Sequence, residues 1–468
     1  MRYGIMRISF SKKTMLCGLL YIGLILSVVT IPTIVTFLYS LLFIGIVTVL
    51  NYNSILASDE DANSFFVALP IILSSFQNVY LGFGADRLNS VTLQVLLSIS
   101  IAIITITVFL GIILNRFKSK EFSWLVLSIL VIIIQSVILL IFFPTTLPAY
   151  LSSMRNILAP LLIFYFSIYG FKNINLQKFY KYMFIIILVV LIFGFIEYIY
   201  GNSLWTRLNI KKLWALKGLA IENRVVPGNW HSSELIGGKQ LRRMVSTFAD
   251  PVNLGSYLFA AFMLAWYKNK KLLQVLLLAS FVLSVSKAAF LSMLVYIIIY
   301  TWVVDKNKIL SIFGIIISTV LGLYFYNFSQ VSSYGSINAH IDGFFSALST
   351  PLHYPFGMGV GSVGVLASKL GSQTALSSEV LETGIGMIIA QLGFVGVIIY
   401  LIFFVKLSVI GKNINNKRDK ILWFTLIYSF LANAFFNEVA LSPNSCTLYF
   451  LILGLLYNKN KIRSTEFS

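Results

Sequence analysis

Apolar positions dominate this chain in runs of about 17 to 25 residues, the length that carries a helix across a bilayer, with short polar breaks between them. Such runs lie near 15–30, 33–50, 65–82, 91–114, 122–143, 156–170 and 180–199, and again near 251–267, 271–286, 288–304, 309–327, 384–408, 421–438 and 444–457. Read as helices, they predict an all-α polytopic transmembrane bundle of about 14 spans with both termini on one side. The chain then divides into membrane spans in 1–199, a long loop in 200–250, further spans in 251–327, a second long loop in 328–383 and a last group of spans in 384–468. The break Thr30-Ile31-Pro32 is read as a tight turn between two spans. A single kinked helix there would turn every later Lys-rich connection outward.

Composition agrees with this reading. Of 468 residues, 58% are hydrophobic and only 11% charged, and the mean hydropathy is +0.89. A soluble fold has too few polar groups here to cover that much apolar surface. Lys and Arg number 35 against 16 Asp and Glu, a net +19. In a membrane protein this excess orients the spans and does not signal a nucleic-acid partner. Basic residues gather in alternate connections, at Arg116–Lys120, Lys172–Lys181, Lys268–Lys271, Lys306–Lys308, Lys406–Lys420 and Lys459–Arg463, which marks those connections and both termini as cytoplasmic. Arg2, Arg7, Lys12 and Lys13 precede an apolar run without a small-residue cleavage site, so the first run reads as a retained span. Cys17 and Cys446 form no ligand pair, and His231, His340 and His353 are scattered, so neither a metal nor a cofactor is expected.

With this orientation the two long connections, Gly201 to Asp250 and Ser329 to Thr383, are external. The first carries Arg207, Lys211, Lys212, Lys217, Arg224, Lys239, Arg242 and Arg243 against Glu222, Glu234 and Asp250. Positive charge on that side asks for a cause: lipid headgroups are one, an anionic ligand such as a diphosphate another. The second loop is nearly neutral, with Lys369 its only basic residue and with Pro351, Pro355, Gly357, Gly359 and Gly361 forming an irregular turn region that could fold over the first loop. At the end of the first loop, Asp250 suits a helix cap and Pro251 the first helical turn. That helix would aim its unpaired N–H groups at the outer surface beside Arg243, where a phosphate would be welcome. Arg243 could also serve only to snorkel toward headgroups.

The run Arg243-x-x-Ser246-Thr247-Phe248-x-x-Pro251-x-Asn253 resembles the signature of the O-antigen ligase and Wzy-type polysaccharide polymerase superfamily, with Val252 inserted between proline and asparagine. Three further stretches are similar to motifs of that family in the same order: Ser284-Val-Ser286-Lys287-Ala288-Ala289, with lysine where arginine is usual; Pro355-Phe-Gly357-Met-Gly359-Val-Gly361-Ser362; and Glu382-Thr383-Gly384 followed by Gly393-Phe-Val-Gly396. An acid at Glu382, where ligases tend to carry histidine, tips the resemblance toward polymerases. It implies a GT-C-like membrane glycosyltransferase in the bacterial cytoplasmic membrane, with its site facing outside. Its substrate would be an undecaprenyl-diphosphate-linked oligosaccharide, polymerised into capsular, exopolysaccharide or O-antigen-type glycan. Membrane lipids would surround it, and a chain-length regulator and a flippase would be its partners.

The implied transfer needs cations where the diphosphate departs and a base where the acceptor hydroxyl loses its proton. Arg243 is the first candidate for the cation, since its planar fork binds phosphate oxygens in pairs. Glu382 is the candidate base, although an acid at a helix start also serves the helix dipole. Arg155, Arg242, Lys287, His353 and Asn253 are candidate substrate-binding residues. His231 could touch sugar hydroxyls, and Trp205, Trp214 and Trp230 could stack on sugar rings or anchor the loop at the interface. Asp59-Glu60-Asp61 has a D-x-D look but is expected inside, as a solvated acidic turn. The rival enzyme is a ligase. The rival of another class is a lipid-linked oligosaccharide flippase, which should show broken helices or mid-membrane charge.

Overall fold

A computed structural model of the protein describes residues 11–57, 59–117, 120–218, 221, 224–236, 239–305, 336–364 and 382–466, with isolated positions between 309 and 327. The candidate span at 309–327 falls largely, and Arg2, Arg7, Lys306, Lys308 and Lys369 wholly, outside the described residues.

The chain begins as a helical hairpin, α1 (Lys12–Thr30) and α2 (Thr33–Leu56). Ile31 and Pro32 form the turn, and the helices run antiparallel: Thr36 Oγ1 donates to Ser27 O at 2.9 Å and Tyr39 OH to Leu20 O at 3.1 Å. Next come α3 (Glu60–Phe83), α4 (Ser90–Ile113), α5 (Ser123–Phe142), α6 (Leu147–Gly170) and α7 (Leu176–Tyr200). After the first long loop follow α10 (Pro251–Tyr267), α11 (Lys271–Ser284) and α12 (Lys287–Tyr300), numbered past the loop's own two short helices, α8 (Ser203–Arg207) and α9 (Ile210–Leu216). Helix α13 (Ser336–His353) lies in the second long connection, and α14 (Gly384–Lys412), α15 (Lys417–Phe436) and α16 (Pro443–Glu466) complete the bundle.

Among the described residues, 8 helices are long and apolar enough to cross a membrane. They differ in where they sit. Helices α3 and α6 are buried along most of their length, whereas α1, α2 and α5 expose theirs. Leu19, Ile34, Leu127, Ile141, Leu272 and Val282 form an apolar outer surface that water would penalise and hydrocarbon would not. At the centre α6 packs against α16. A Cβ at Gly454 would overlap Ser167, whose hydroxyl lies 3.2 Å from Phe450 O, and Asn458 Nδ2 donates to Ile168 O at 2.9 Å. A small residue with interhelical hydrogen bonds is how helices approach closely where burial from water cannot drive them together.

The turns between the long helices collect at two opposite ends of the bundle. At one end lie the α4–α5, α6–α7, α10–α11 and α14–α15 turns. Here Asp419 accepts from Tyr267 OH at 2.8 Å and from Lys459 Nζ at 2.8 and 2.9 Å, and Glu121 accepts from Tyr457 OH at 2.6 Å and Lys461 Nζ at 3.1 Å. Asp59 caps α3 through Ala62 N, and Asp61 pairs with Lys178, so the Asp59-Glu60-Asp61 run is a capping turn. At the other end lie both long connections. The loop after α7 contains a β-hairpin, β1 (His231–Ile236) with β2 (Lys239–Arg242), in the register His231↔Arg242 and Ile236↔Lys239. The bundle is otherwise helical among the described residues, as the all-α expectation has it, and Gly237-Gly238 between two short runs is the sequence signal for this local hairpin.

Candidate functional site

At the end that carries the long loops, α3, α4, α6, α9, α10 and α16 converge on a cavity of about 510 Å³. Its lining is polar for a membrane bundle, with Asn and Gln side chains from most of these elements, among them Gln77, Gln94, Asn156 and Asn444. Among the described residues two cations face it, Arg155 of α6 and Lys217 at the end of α9, and three acids line it, Asp250, Glu382 and Glu438.

The two cations are held in unlike ways. Lys217 donates to Asn78 Oδ1 at 2.7 Å, and Asn78 in turn donates to Phe248 O at 2.5 Å. Burial lowers the Lys217 ammonium to about 8; Asp250 opposes the shift and Arg155 adds to it. Arg155 makes one long hydrogen bond, Nε to Asn156 Oδ1 at 3.4 Å, and no described carboxylate lies within ion-pair distance of it. A guanidinium carries five N–H donors, so most of the Arg155 fork is uncommitted at the cavity wall. Two more lining residues have buried unpartnered atoms, the indole Nε1 of Trp214 and Oε1 of Gln94.

Of the acids, Asp250 is spent on the fold. As expected from sequence it caps α10, accepting from Val252 N and Asn253 N at 3.3 Å, and it also accepts from Asn229 Nδ2 at 3.0 Å and from the Asn253 amide. Glu382 and Glu438 are joined through the backbone, Glu438 N donating to Glu382 O at 2.8 Å. Glu438 is buried in a short 3-10 turn between α15 and α16, and a Cβ on Gly364 would lie 3.2 Å from its carboxylate. This brings the second long connection to the cavity.

Residues Pro355 to Gly364 pack into a break in α14 at Gly393, where φ is +61°. Phe394 N donates to Pro355 O at 2.9 Å, Met358 N to Ala390 O at 2.9 Å, and Gln391 Nε2 to Val363 O at 2.6 Å. Gly357, with φ +84°, has no room for a Cβ because Gln391 and Gly393 backbone atoms lie against it. A broken helix is thus present, but the turn occupies the groups it frees, and the break contributes no residue to the cavity lining.

Of the remaining candidates, Asn253 and Trp214 reach the lining and the others lie outside it. Arg243 donates from Nε to Ser284 O at 3.0 Å and from Nη1 to Asn229 O at 3.1 Å, so it fixes the backbone behind Asn229. Arg242 pairs with the fully buried Glu197 of α7 and donates to Asn202 Oδ1 at 3.0 Å. Glu197 also accepts from Val245 N and Ser246 N, each at 3.2 Å. This clamp holds a strained loop, since Ser246 (φ +47°) and Ala249 (φ +52°) are left-handed without being glycine. Asn253 ties α10 to the start of α16, accepting from Ser442 and Ser445 Oγ at 2.7 Å, and it lines the cavity. Lys287 is exposed at the first turn of α12, and His353 is exposed at the end of α13. Trp205 and Trp230 are fully buried and meet edge to face at 6.0 Å, so they are core residues; Trp214 alone of the three lines the cavity. Burial lowers the His231 imidazole, and Arg242 and Arg224 push it further down.

Sequence reasoning did not single out Lys217, Glu438 or Glu197. A lysine among eight basic loop residues, and one acid between two spans, carry no local signal. No protein-family model matches the chain, and the curated proteins return no match.

Proposed function

We propose that this protein is a membrane glycosyltransferase that lengthens a glycan carried on undecaprenyl diphosphate, with the cavity facing the outside of a bacterial cytoplasmic membrane. The observation that carries this reading is the uncommitted Arg155 guanidinium sharing one amide-rich cavity with Lys217 and with two carboxylates, Glu382 and Glu438. Diphosphate requires the cations, sugar hydroxyls suit the amides, and transfer requires a proton acceptor. The acceptor hydroxyl oxygen bonds to the anomeric carbon, the bond from that carbon to the phosphate oxygen breaks, and the lipid diphosphate leaves with its electron pair. Arg155 and Lys217 stabilise the charge that builds on the leaving group. Glu382 or Glu438 takes the hydroxyl proton. Arg243 and Arg242 hold the loop that forms the cavity wall. The about 14 spans, the cytoplasmic termini and the external position of both long connections belong to this same reading and are supported by the lysines at the opposite end of the bundle.

The test uses purified protein given lipid-linked repeat units, with no nucleotide sugar and no divalent metal. Elongation that R155A and E438Q abolish supports the proposal. Transfer of the glycan to a different lipid acceptor would identify a ligase. Movement of the lipid across vesicles without elongation would overturn the reading in favour of a flippase.

A further inference from the structure

A second cavity, of about 610 Å³, lies at the opposite end of the bundle, between the start of α7 and the α10–α11 turn. Lys178, Lys181, Lys268 and Lys270 line its mouth, and Phe184, Ile185 and Leu188 of α7 continue it along the bundle. Residue 178 stands 22 positions before Tyr200 on one continuous helix, a rise of roughly 33 Å. The mouth of this cavity and the loop that follows α7 are therefore about one hydrocarbon thickness apart.

The charges here are not balanced locally. Lys178 is paired with Asp61, and Asp419 is taken by Lys459. Lys268 and Lys270 have no described carboxylate within ion-pair distance; Lys268 Nζ sits 3.8 Å over the Tyr180 ring, and Lys270 Nζ lies 5.8 Å from the Phe184 ring centre. Burial lowers the Lys268 ammonium, and Lys459, Lys270 and Arg418 lower it further. An anion would relieve that repulsion. Below the lysines the wall turns apolar and outward, with Ile185 and Leu188 each 44% exposed on the lipid-facing side of α7.

We propose that this groove is a binding site for an anionic phospholipid, its phosphate held by Lys268 and Lys270 and an acyl chain lying along Phe184, Ile185 and Leu188. A basic mouth above an apolar wall fits a lipid and not a soluble phosphate, which would leave the wall unused. The site is independent of the glycosyl-transfer reading.

The experiment is native mass spectrometry of the full chain released from mixed phosphatidylglycerol and phosphatidylcholine nanodiscs. The expected result is retained phosphatidylglycerol over phosphatidylcholine, lowered about thirtyfold in K268Q/K270Q, lowered in I185W with all charges intact, and unchanged in K406Q, which removes an exposed lysine of α14. Equal retention of the two lipids, an equal loss in K406Q, or full retention in K268Q/K270Q would overturn the proposal. Displacement of the lipid by millimolar inorganic phosphate or glycerol 3-phosphate, or I185W behaving as the parent, would overturn the lipid assignment in favour of a soluble anion.

Discussion

The two ends of the bundle both gather charge where helices meet loops, and they resolve it in opposite ways. Around Asp419, a buried carboxylate is matched by Lys459, by the Tyr267 hydroxyl and by Asn460, so its hydrogen-bonding capacity is used within the protein. Around Arg155, a partly buried guanidinium at the cavity wall has a single long bond to an amide. A buried charge that is paired specifies how helices dock; one left largely unpaired in a cavity costs stability and persists where something else supplies the counter-charge. At the same end as Arg155, the Glu197–Arg242 clamp is the paired case again, and it holds the loop that carries Phe248 and Asp250 to the cavity.

This contrast is broken most directly at Arg155. R155A should lower elongation about 100- to 1,000-fold and leave the fold intact, because no internal ion pair is lost; thermal unfolding measured beside activity checks both halves. Normal activity in R155A would remove the contrast. At the opposite end D419A should reverse the pattern. It strands Lys459 and should destabilise the protein by about 3 kcal/mol, with specific activity of the folded fraction retained, read by denaturation in detergent and by activity per folded molecule.

A smaller effect separates the two arginine positions. R243A removes contacts to two backbone carbonyls and should cost about tenfold in activity, clearly less than R155A. Equal losses would place Arg243 with the substrate after all. The smallest effect concerns pH. The Lys217 ammonium titrates near 8 when folded against a reference of 10.5, so between these values the unfolded chain holds a proton that the folded chain has lost. Raising pH through that window therefore strengthens the fold, while it removes a cavity charge and weakens binding of an anionic substrate. Substrate affinity should fall by about tenfold from pH 7 to pH 9, and K217M should flatten that profile; an unchanged slope in K217M would assign the titration elsewhere.

The sequence by itself determined the helical membrane character, the break at Ile31-Pro32 and the Asp250-Pro251 cap. These follow from apolar run length, from the missing N–H and fixed φ of proline, and from the reach of an aspartate to nearby backbone N–H groups, all local properties. The resemblance to membrane polymerases drew attention to Arg242 and Arg243, which the fold employs to hold the loop. Only the tertiary structure decided that Arg155 from α6, Lys217 from α9 and Glu438 from the α15–α16 turn share one cavity. It likewise decided that Gly393 breaks α14 to receive the Pro355–Gly364 turn. Those juxtapositions join residues tens to hundreds of positions apart, and they arise from how whole helices pack, which no short-range pattern of residues encodes.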